Sequence, residues 1–397
     1  MTPFYKIRDV RHEPDPVETI LSDFSTSELD TLVGMRRDLH RHPEIAFEET
    51  RTAAKVSGEL RSLGLAPRNG VGRTGVSADL GAGEKRLLVR ADMDALPLTE
   101  ASGVDFASEI PGRMHACGHD GHMAIALSVA ARLARRPAGR PLRLLFQPAE
   151  ERGGGARACV ADGVLDGVGA AVGIHLWNQL PVGRVGVNRG ALMAAVDEFE
   201  IHVEGRGGHG AAPHETSDPI VAAARIVDAV QTIVSREVSP LDPAVVTIAS
   251  VHGGDAFNVI PSVVRLTGTA RWFRESTGDA IESRLGRIVS GTTAAAGVTA
   301  RLDYRRINRP TVNDAAVAEV VIEAARRLLG EENVDTETRT MGGEDMSVYL
   351  DRVPGCFFFV GSAPEGVHRP HHSPAFAIDE RALAIGVALL ETVVRSL

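Results

Sequence analysis

Three short apolar runs, each followed closely by acidic or histidine side chains, constrain the fold of this chain more than any other feature of its sequence. The runs and the polar groups that follow them are 87–91 with Asp92 and Asp94, 142–147 with Glu150 and Glu151, and 170–174 with His175. Apolar runs of this length are typical of strands buried on both faces of a sheet. Because the loops after parallel strands converge in one crevice, these polar side chains are predicted to lie together.

Helical periodicity in the segments between these runs predicts the crossover connections that a parallel sheet requires. The chain is therefore predicted to belong to the α/β class. The same periodicity predicts that Asp120, Asn313 and Asp379 cap three of the helices. Residues 1–27 carry prolines and acids without a clear period, and we expect them to form a loosely attached arm.

The pattern changes between residues 190 and 305. The segments there are, in chain order, strand 194–204, helix 218–234, strands 245–251 and 263–273, helix 281–289 and strand 298–304. This βαββαβ order predicts one antiparallel sheet with two helices on one face, an α+β unit of ferredoxin-like type. We therefore expect one discontinuous domain of residues 1–189 and 306–397, which carries the three apolar runs and the polar groups after them, with an inserted domain of residues 190–305.

Composition and charge favour a soluble protein with small-molecule partners. The net charge is -9 and no block of lysine and arginine is present, so neither nucleic acid nor an anionic membrane is an expected partner. The first residues lack the apolar run of a secretory signal and no stretch reaches transmembrane length, which predicts a cytoplasmic location. The cysteines are too few and too scattered for a disulfide framework, and Cys159 and Cys356 are predicted to be apolar packing residues.

Residues 114–122 crowd one thiol and three imidazoles into a single short segment. Cys117 and His119 offer a thiolate and an imidazole, which suit a borderline-soft divalent cation such as zinc. A lone cysteine or histidine is more often an ordinary packing or surface residue, but the clustering favours a metal site. Because no CxxC pair is present, an open site is predicted rather than a closed structural zinc site.

Glu150 and Glu151 need separate roles, because two carboxylates in one site repel each other unless cations neutralise them. One can bind metal while its neighbour acts as the general base, a division of work that metal-assisted hydrolysis requires. The ordinary alternative is an exposed acidic pair in a loop, which the position of the pair at a strand end disfavours. The candidate ligands, enough for two cations, are Cys117, His119, one of the two glutamates, His175 and His372.

Eight motifs resemble those of the M20 family of metal-dependent amidohydrolases and peptidases, and within it the aminoacylase, hippurate hydrolase and auxin-conjugate hydrolase subgroup. They are 38–44 (DLHRHPE), 90–97 (RADMDALP), 114–122 (MHACGHDGH), 147–151 (QPAEE), 207–213 (GGHGAAP), 258–261 (NVIP), 268–271 (GTAR) and 372–374 (HSP). The resemblance covers all of the chain except the N-terminal arm. It implies a zinc-exopeptidase-like domain, with a mixed central sheet and helices on both faces, and a lid that pairs two protomers.

Carried over residue by residue, the resemblance implies that two divalent cations bind to Cys117, His119, Glu151, His175 and His372. It implies that Glu150 is the general base for a metal-activated water and that Asp92 supports the ligands. It also implies that His209 reaches the neighbouring protomer's active site to stabilise the oxyanion. Asn258 and Arg271 are implied to hold the substrate carboxylate. From its strand pattern alone, Arg271 has the alternative of a solvated position on a polar face.

The activity implied is hydrolysis of the amide bond of an N-acyl amino acid by a homodimer. An M20-type dipeptidase or carboxypeptidase is the alternative among enzymes, and a catalytically silent metal-binding scaffold is the alternative of another class. Zinc, manganese, cobalt and nickel all suit this ligand set, so the identity of the metal is not predicted.

Arg152 and His371 stand where the subgroup commonly has glycine and leucine. Trp177 and Met193 are candidates for an acyl pocket or for the core.

Overall fold

A computed structural model describes residues 15–152 and 154–397 of the chain. The helices are α1 (Pro16–Ser22), α2 (Thr26–Arg41), α3 (Thr50–Ser62), α4 (His119–Arg135), α5 (Gly155–Ala161), α6 (Pro219–Thr232), α7 (Glu275–Ala296), α8 (Ala315–Leu329), α9 (Ser347–Leu350) and α10 (Arg381–Ser396). The strands are β1 (Arg68–Val71), β2 (Gly75–Leu80), β3 (Arg86–Asp92), β4 (Leu142–Gln147), β5 (Val168–Pro181), β6 (Val185–Gly186), β7 (Ala191–Met193), β8 (Val196–Glu204), β9 (Gly208–His209), β10 (Ala244–His252), β11 (Val259–Ile260), β12 (Val263–Trp272), β13 (Thr299–Asn308), β14 (Thr311–Val312), β15 (Val334–Asp335) and β16 (Gly355–Ala363).

Eight strands form the larger sheet, in the order β1-β2-β4-β3-β5-β16-β6-β15. The central pairs β4–β3, β3–β5 and β5–β16 are parallel, whereas β1–β2, β2–β4 and β16–β6 are antiparallel. Alternate residues of β3 enter different cores: Leu87 and Val89 pack with α4 and α10, and Leu88 packs with α5 and α9. The sheet is therefore mixed and covered by helices on both faces, which confirms the predicted fold class.

The three apolar runs become β3, β4 and β5, but β5 is longer than predicted. It continues through His175 to Pro181, because β16 provides backbone partners along this whole length, including Val360 for Leu176. His175 consequently lies inside a strand rather than in the loop after it. Cys159 and Cys356 are fully buried, which confirms that they are packing residues.

Four antiparallel strands form the smaller sheet, in the order β10-β12-β8-β13. It has its own apolar core, to which α6 and α7 contribute Ile226, Val230, Ile281 and Leu285. The observed order β8-α6-β10-β12-α7-β13 is the predicted βαββαβ pattern. None of the helices in the described part of the chain combines the length and the apolar character needed to cross a bilayer.

The predicted N-terminal arm is wrong for residues 15–27. Helix α1 packs against α8 and α10, and Val17, Ile20 and Phe24 are buried in the larger core. The apolar residues of this segment were too few to show a helical period, so the sequence pattern missed them. Residues 1–14, which the same prediction included, lie outside the described residues.

Two predicted helix caps are also wrong. Asp120 lies inside the first turn of α4 and is fully buried, and the cap position is Gly118 at φ 94°. The cap of α8 is Asp314, whose carboxylate accepts backbone N–H groups, while Asn313 donates to the Asn188 and Phe357 carbonyls. In both cases a tertiary partner competes with the local capping interaction. The third predicted cap, Asp379, lies one residue before the N-cap of α10, which is Glu380. Its carboxylate nevertheless accepts the backbone N–H of Arg381, the first residue of α10.

A buried ion network connects α2 to the first turn of α4. Arg36 Nε donates to Asp120 Oδ2 at 2.7 Å, and His40 lies between Asp120 (2.8 Å) and Glu100 (3.1 Å). Burial alone would lower the pKa of His40. The charge of Asp120 and the hydrogen bonds to Asp120 and Glu100 outweigh burial, so the pKa of His40 is raised above its ordinary value of 6.5.

This raised pKa gives the network a pH-dependent effect on stability. Protonated His40 contributes fully below pH 6.5, the value of an unperturbed histidine, and its contribution is lost as the pH rises through the higher folded-state value. We expect the difference in free energy of unfolding between the wild type and His40→Gln to be larger at about pH 6 than at about pH 9. Urea denaturation of both proteins at both pH values measures it. An equal difference would mean that His40 carries no additional proton in the folded chain.

Candidate metal centre and active-site cleft

A cleft of about 590 Å³ lies between the larger sheet and the smaller sheet. From the larger-sheet side its wall includes Cys117, Glu150, Glu151, His175, Trp177, Glu344, His371 and His372. From the smaller-sheet side its wall includes Val196, Glu198 and Arg271. The polar groups that follow the apolar runs of the sequence therefore meet at one place.

Asp94, in the segment after β3, positions the two glutamates that follow β4. Its carboxylate accepts the backbone N–H groups of Glu150 (3.0 Å) and Glu151 (3.1 Å), and the turn before them has Ala149 at φ 52°. Its backbone carbonyl accepts the Nδ1–H of His119 at 2.8 Å. Asp94 thus links the glutamate loop to helix α4, a role that the sequence did not reveal.

The backbone fixes the tautomers of two histidines in the cluster. Because a carbonyl can only accept, His119 donates Nδ1–H to Asp94, and its Nε2 is buried without a hydrogen-bond partner among the described residues. His175 donates Nδ1–H to the Leu176 carbonyl at 2.8 Å, and its Nε2 lies 3.5 Å from Cys117 Sγ. In both residues Nε2 is the nitrogen directed at the cluster, as in most metal-binding histidines.

Glu151 and His372 complete the cluster. Glu151 Oε1 lies 3.3 Å from His372 Nε2 and 4.0 Å from His119 Nε2. The potential ligand atoms form overlapping sets whose members lie within 4.8 Å of one another: Cys117–His119–His175, Cys117–Glu151–His372 and His119–Glu150–Glu151. The structure thus brings together all five side chains assigned to metal binding from the sequence.

The cluster fits divalent cations. The Nε2 of His119 is buried without a hydrogen-bond partner in the described chain, which costs about 1–3 kcal/mol, and the buried Oε1 of Glu151 makes an ion-pair contact with His372 at 3.3 Å. Burial raises the pKa of the Cys117 thiol well above its usual range, so the thiolate needs a nearby cation. Burial alone would lower the pKa of His119, but the carboxylates of Asp92 and Asp94 raise it to about 10. The site therefore attracts positive charge.

Asp92 and His122 support the cluster without completing it. His122 donates Nδ1–H to Asp92 at 2.6 Å, and its Nε2 accepts the Leu176 N–H at 2.9 Å, so both nitrogens of His122 are occupied. The other oxygen of Asp92 accepts from Arg90 at 2.6 Å and lies 3.8 Å from His119 Nε2. Asp92 thus lies beside the candidate ligand His119.

The two adjacent glutamates differ in pKa. Burial and the charges of Glu344 and Glu151 raise the pKa of Glu150 well above its ordinary range. Burial also acts on Glu151, but the imidazoles of His372 and His119 outweigh it and lower the pKa of Glu151. A carboxylate that stays ionised is suited to bind a cation, and one with a raised pKa is suited to accept and return a proton.

Arg90 is the centre of a buried charge network below the cleft. Its guanidinium donates to Asp92 (2.6 Å), Glu344 (2.8 Å), Asp345 (2.9 Å) and Gln147 (2.9 Å). Glu344 and Asp345 were not predicted from the sequence. The available signal was an acidic pair after two glycines, but no apolar run precedes it to mark a strand end.

The three residues predicted on the inserted segment lie in different places. Arg271 lines the cleft and makes its hydrogen bonds with Thr269 and the Ala270 carbonyl, without a carboxylate partner in the described chain. Burial lowers the pKa of Arg271. His209 and Asn258 are exposed where β9 pairs with β11, and neither lines the cleft of the described chain.

Comparison with known proteins decides the family. The model of peptidase family M20/M25/M40 matches residues 88–396. An N-acetyl-L-cysteine deacetylase of Bacillus subtilis (strain 168) is 40% identical over 382 residues, covering 95% of this chain and 89% of that protein. The chain belongs to peptidase family M20/M25/M40. It is therefore a metal-dependent hydrolase that acts on amide bonds.

Two further M20 proteins are similar along nearly the whole chain. The IAA-amino acid hydrolase ILR1-like 4 of Arabidopsis thaliana is 38% identical, covering 91% of this chain and 84% of that protein. A solved Bacillus subtilis structure, described as a dinuclear metal-binding peptidase from the M20 family, is 35% identical with a TM-score of 0.81. It covers 94% of this chain and 98% of that chain. These similarities confirm the resemblance to the aminoacylase and auxin-conjugate hydrolase subgroup.

The departures from the M20 subgroup pattern both lie at the cleft. Arg152 lines it next to Glu151. His371 lines it next to His372, and burial lowers the pKa of His371 to about 4.

Proposed function

We propose that this M20 enzyme hydrolyses the amide bond of N-acyl amino acids. The observation that carries the proposal is Arg271, a partly buried guanidinium without a carboxylate partner in the described chain, in the same cleft as the ligand cluster and Glu150. A planar guanidinium suits a carboxylate, so the cleft fits a substrate with a carboxylate close to the scissile amide. Deacetylase and IAA-amino acid hydrolase relatives support this substrate class.

Cys117, His119, Glu151, His175 and His372 are proposed to hold two divalent cations. The unpaired buried Nε2 of His119 and the mixture of thiolate, imidazole and carboxylate support this. When bound, the cations supply Lewis-acid activation of the water and of the amide carbonyl. Zinc, manganese, cobalt and nickel all suit such a ligand set, so the metal is left to experiment.

Glu150 is proposed to move the proton. Its backbone is fixed by Asp94, and its side chain lies in the cleft within reach of the ligand cluster. From there it can take a proton from the attacking water and return it to the leaving nitrogen. Burial and the charges of Glu344 and Glu151 keep its pKa above the ordinary range, which suits both transfers.

We propose that residues 190–305 form a lid that pairs two copies of the chain. Strand β10 is an edge of the smaller sheet and exposes Val245 and Val251, and Phe257 in the following loop is fully exposed. Such an edge is suited to cover by another protein surface. The position of His209 outside its own cleft is consistent with a role in the partner's cleft, where it would stabilise the oxyanion. Asn258, next to β11, would move with it toward the substrate carboxylate.

The test is the release of free amino acid from N-acetyl, N-benzoyl and longer N-acyl amino acids. The protein is stripped of metal and then given zinc, manganese, cobalt or nickel. We expect turnover of N-acyl amino acids only after metal is restored. Dipeptides, which carry a free α-amino group, are the matched controls.

Turnover of dipeptides alone would support the dipeptidase or carboxypeptidase alternative and refute the proposed substrate class. No turnover of any substrate with any metal would support the silent-scaffold alternative. The cytoplasmic location expected from the sequence stays a prediction.

A further inference from the structure

Two hydrogen-bonding atoms beside the ligand cluster are left without a partner. They are the Nε1–H of Trp177 and the Nδ1 of His371, neither of which bonds to another described residue. Trp177 is only 7% exposed, but neither its Nε1 nor the Nδ1 of His371 is among the fully buried unpaired atoms of the described chain, so both atoms reach the solvent of the cleft. The N–H of the other tryptophan, Trp272, instead donates to Asp197 at 2.6 Å. Both unpartnered residues line the cleft.

The rings of these two residues present edges, not faces, to the cleft. Trp177 is stacked between Phe359 (4.3 Å between ring centroids, 8° between planes) and His371 (4.7 Å, 29°). The other side of His371 packs on Phe376 at 5.1 Å. With their faces covered, the rings can offer a ligand only their edge atoms, so this wall is suited to hydrogen bonding rather than to stacking.

The backbone determines which nitrogen of His371 is the acceptor. His371 donates Nε2–H to the Leu176 carbonyl at 2.9 Å, so in the neutral ring Nδ1 carries the lone pair. The same carbonyl accepts the Nδ1–H of His175 at 2.8 Å. The ring of His175 lies 5.3 Å from His371 and 5.3 Å from Trp177. The donor and the acceptor are thus held next to a proposed metal ligand, where the reacting carbonyl would bind.

We propose that Trp177 and His371 bind a hydroxyl group on the acyl chain, so that the enzyme prefers N-(hydroxyacyl) amino acids to the corresponding N-acyl amino acids. A hydroxyl group accepts one hydrogen bond and donates another, which matches the N–H of one ring and the acceptor nitrogen of the other, whose centroids lie 4.7 Å apart. The acyl chain is the part concerned, because Arg271 on the smaller sheet is proposed to take the carboxylate of the amino acid. This inference rests on the proposed function.

The experiment compares kcat/KM for matched substrate pairs with the metal-loaded enzyme. The pairs are N-glycoloyl-alanine with N-acetyl-alanine, and N-(3-hydroxybutanoyl)-alanine with N-butanoyl-alanine. We expect the wild type to prefer the hydroxylated member of at least one pair about tenfold, a ratio typical of two neutral hydrogen bonds at a partly hydrated site. In His371→Leu, which replaces imidazole with the leucine common in the subgroup, the ratio should fall to about one.

Two further variants separate hydrogen bonding from packing. His371→Asn keeps an acceptor close to the position of Nδ1 and should restore part of the preference. Trp177→Phe removes the N–H but keeps an aromatic ring against Phe359 and should reduce the ratio. Circular dichroism and metal content confirm that each variant is folded and loaded. The readout is a ratio between two substrates, so a uniform loss of activity does not affect it.

Three outcomes would overturn the inference. Hydrolysis of all four substrates with a ratio of about one in the wild type would mean that water, not substrate, satisfies the two atoms. An unchanged preference in His371→Leu would place the hydroxyl elsewhere. A preference for N-acetyl-serine over N-acetyl-alanine without any acyl preference would assign the subsite to the amino acid side chain. Failure to hydrolyse any N-acyl amino acid would instead refute the proposed function and the inference with it.

Discussion

Glu150→Gln is expected to lower kcat by about 10²–10⁴ without loss of bound metal. The substitution keeps the size of the side chain and removes its ability to accept a proton. The ligand positions should survive, because Asp94 holds residues 150 and 151 through their backbone N–H groups, which the substitution leaves in place. Steady-state kinetics with an N-acyl amino acid, together with metal analysis of the same preparation, measures both quantities.

Glu198→Gln is the matched control for this prediction. Glu198 lines the same cleft but lies on the exposed side of β8, where its carboxylate pairs with Arg305. We expect its kcat to change less than about threefold, since surface ion pairs contribute little. If Glu150→Gln retained full turnover, Glu150 would not be the base. If it lost metal as well as activity, Glu150 would act as a ligand.

The position of the candidate metal site was predictable because it depends on a general property of parallel sheets. Apolar runs identified β3, β4 and β5. The side chains that follow neighbouring parallel strands converge at one edge of the sheet, independently of the rest of the sequence. Cys117 and His119 needed no long-range information beyond their spacing. His372 was located only by resemblance to a family, since no apolar run leads into it, and the structure places it 3.3 Å from Glu151.

Long-range charge pairing was not predictable from local pattern. An acid in the first turn of a helix has the same local signature whether it caps that helix or, like Asp120, binds an arginine 84 residues away. The same holds for Glu344 and Asp345, whose partner Arg90 lies on β3. These residues are placed by tertiary contacts, which spacing does not encode.

Arg90→Met is expected to give the largest loss of stability, about 3–5 kcal/mol in the free energy of unfolding. Arg90 is fully buried and forms ion pairs with Asp92, Glu344 and Asp345. Methionine fills similar space but leaves these acids without a cation in a low-dielectric interior. Urea denaturation of wild type and variant measures the loss. Arg189→Met, which breaks an exposed pair with Glu319, is the control and should not shift the unfolding midpoint measurably.

The loss in Arg90→Met should also depend on pH in a defined direction. Even beside Arg90, burial raises the pKa of Asp345 to about 7, well above the ordinary value of an aspartate. Without Arg90 the folded-state pKa of Asp345 rises further above that of the unfolded chain. Groups shifted in this direction cost stability at high pH, and the cost is relieved as protons bind. The difference between wild type and variant should therefore be smaller at about pH 5 than at about pH 8. A difference that stayed the same at both pH values would mean that cavity formation, rather than uncompensated charge, dominates the effect.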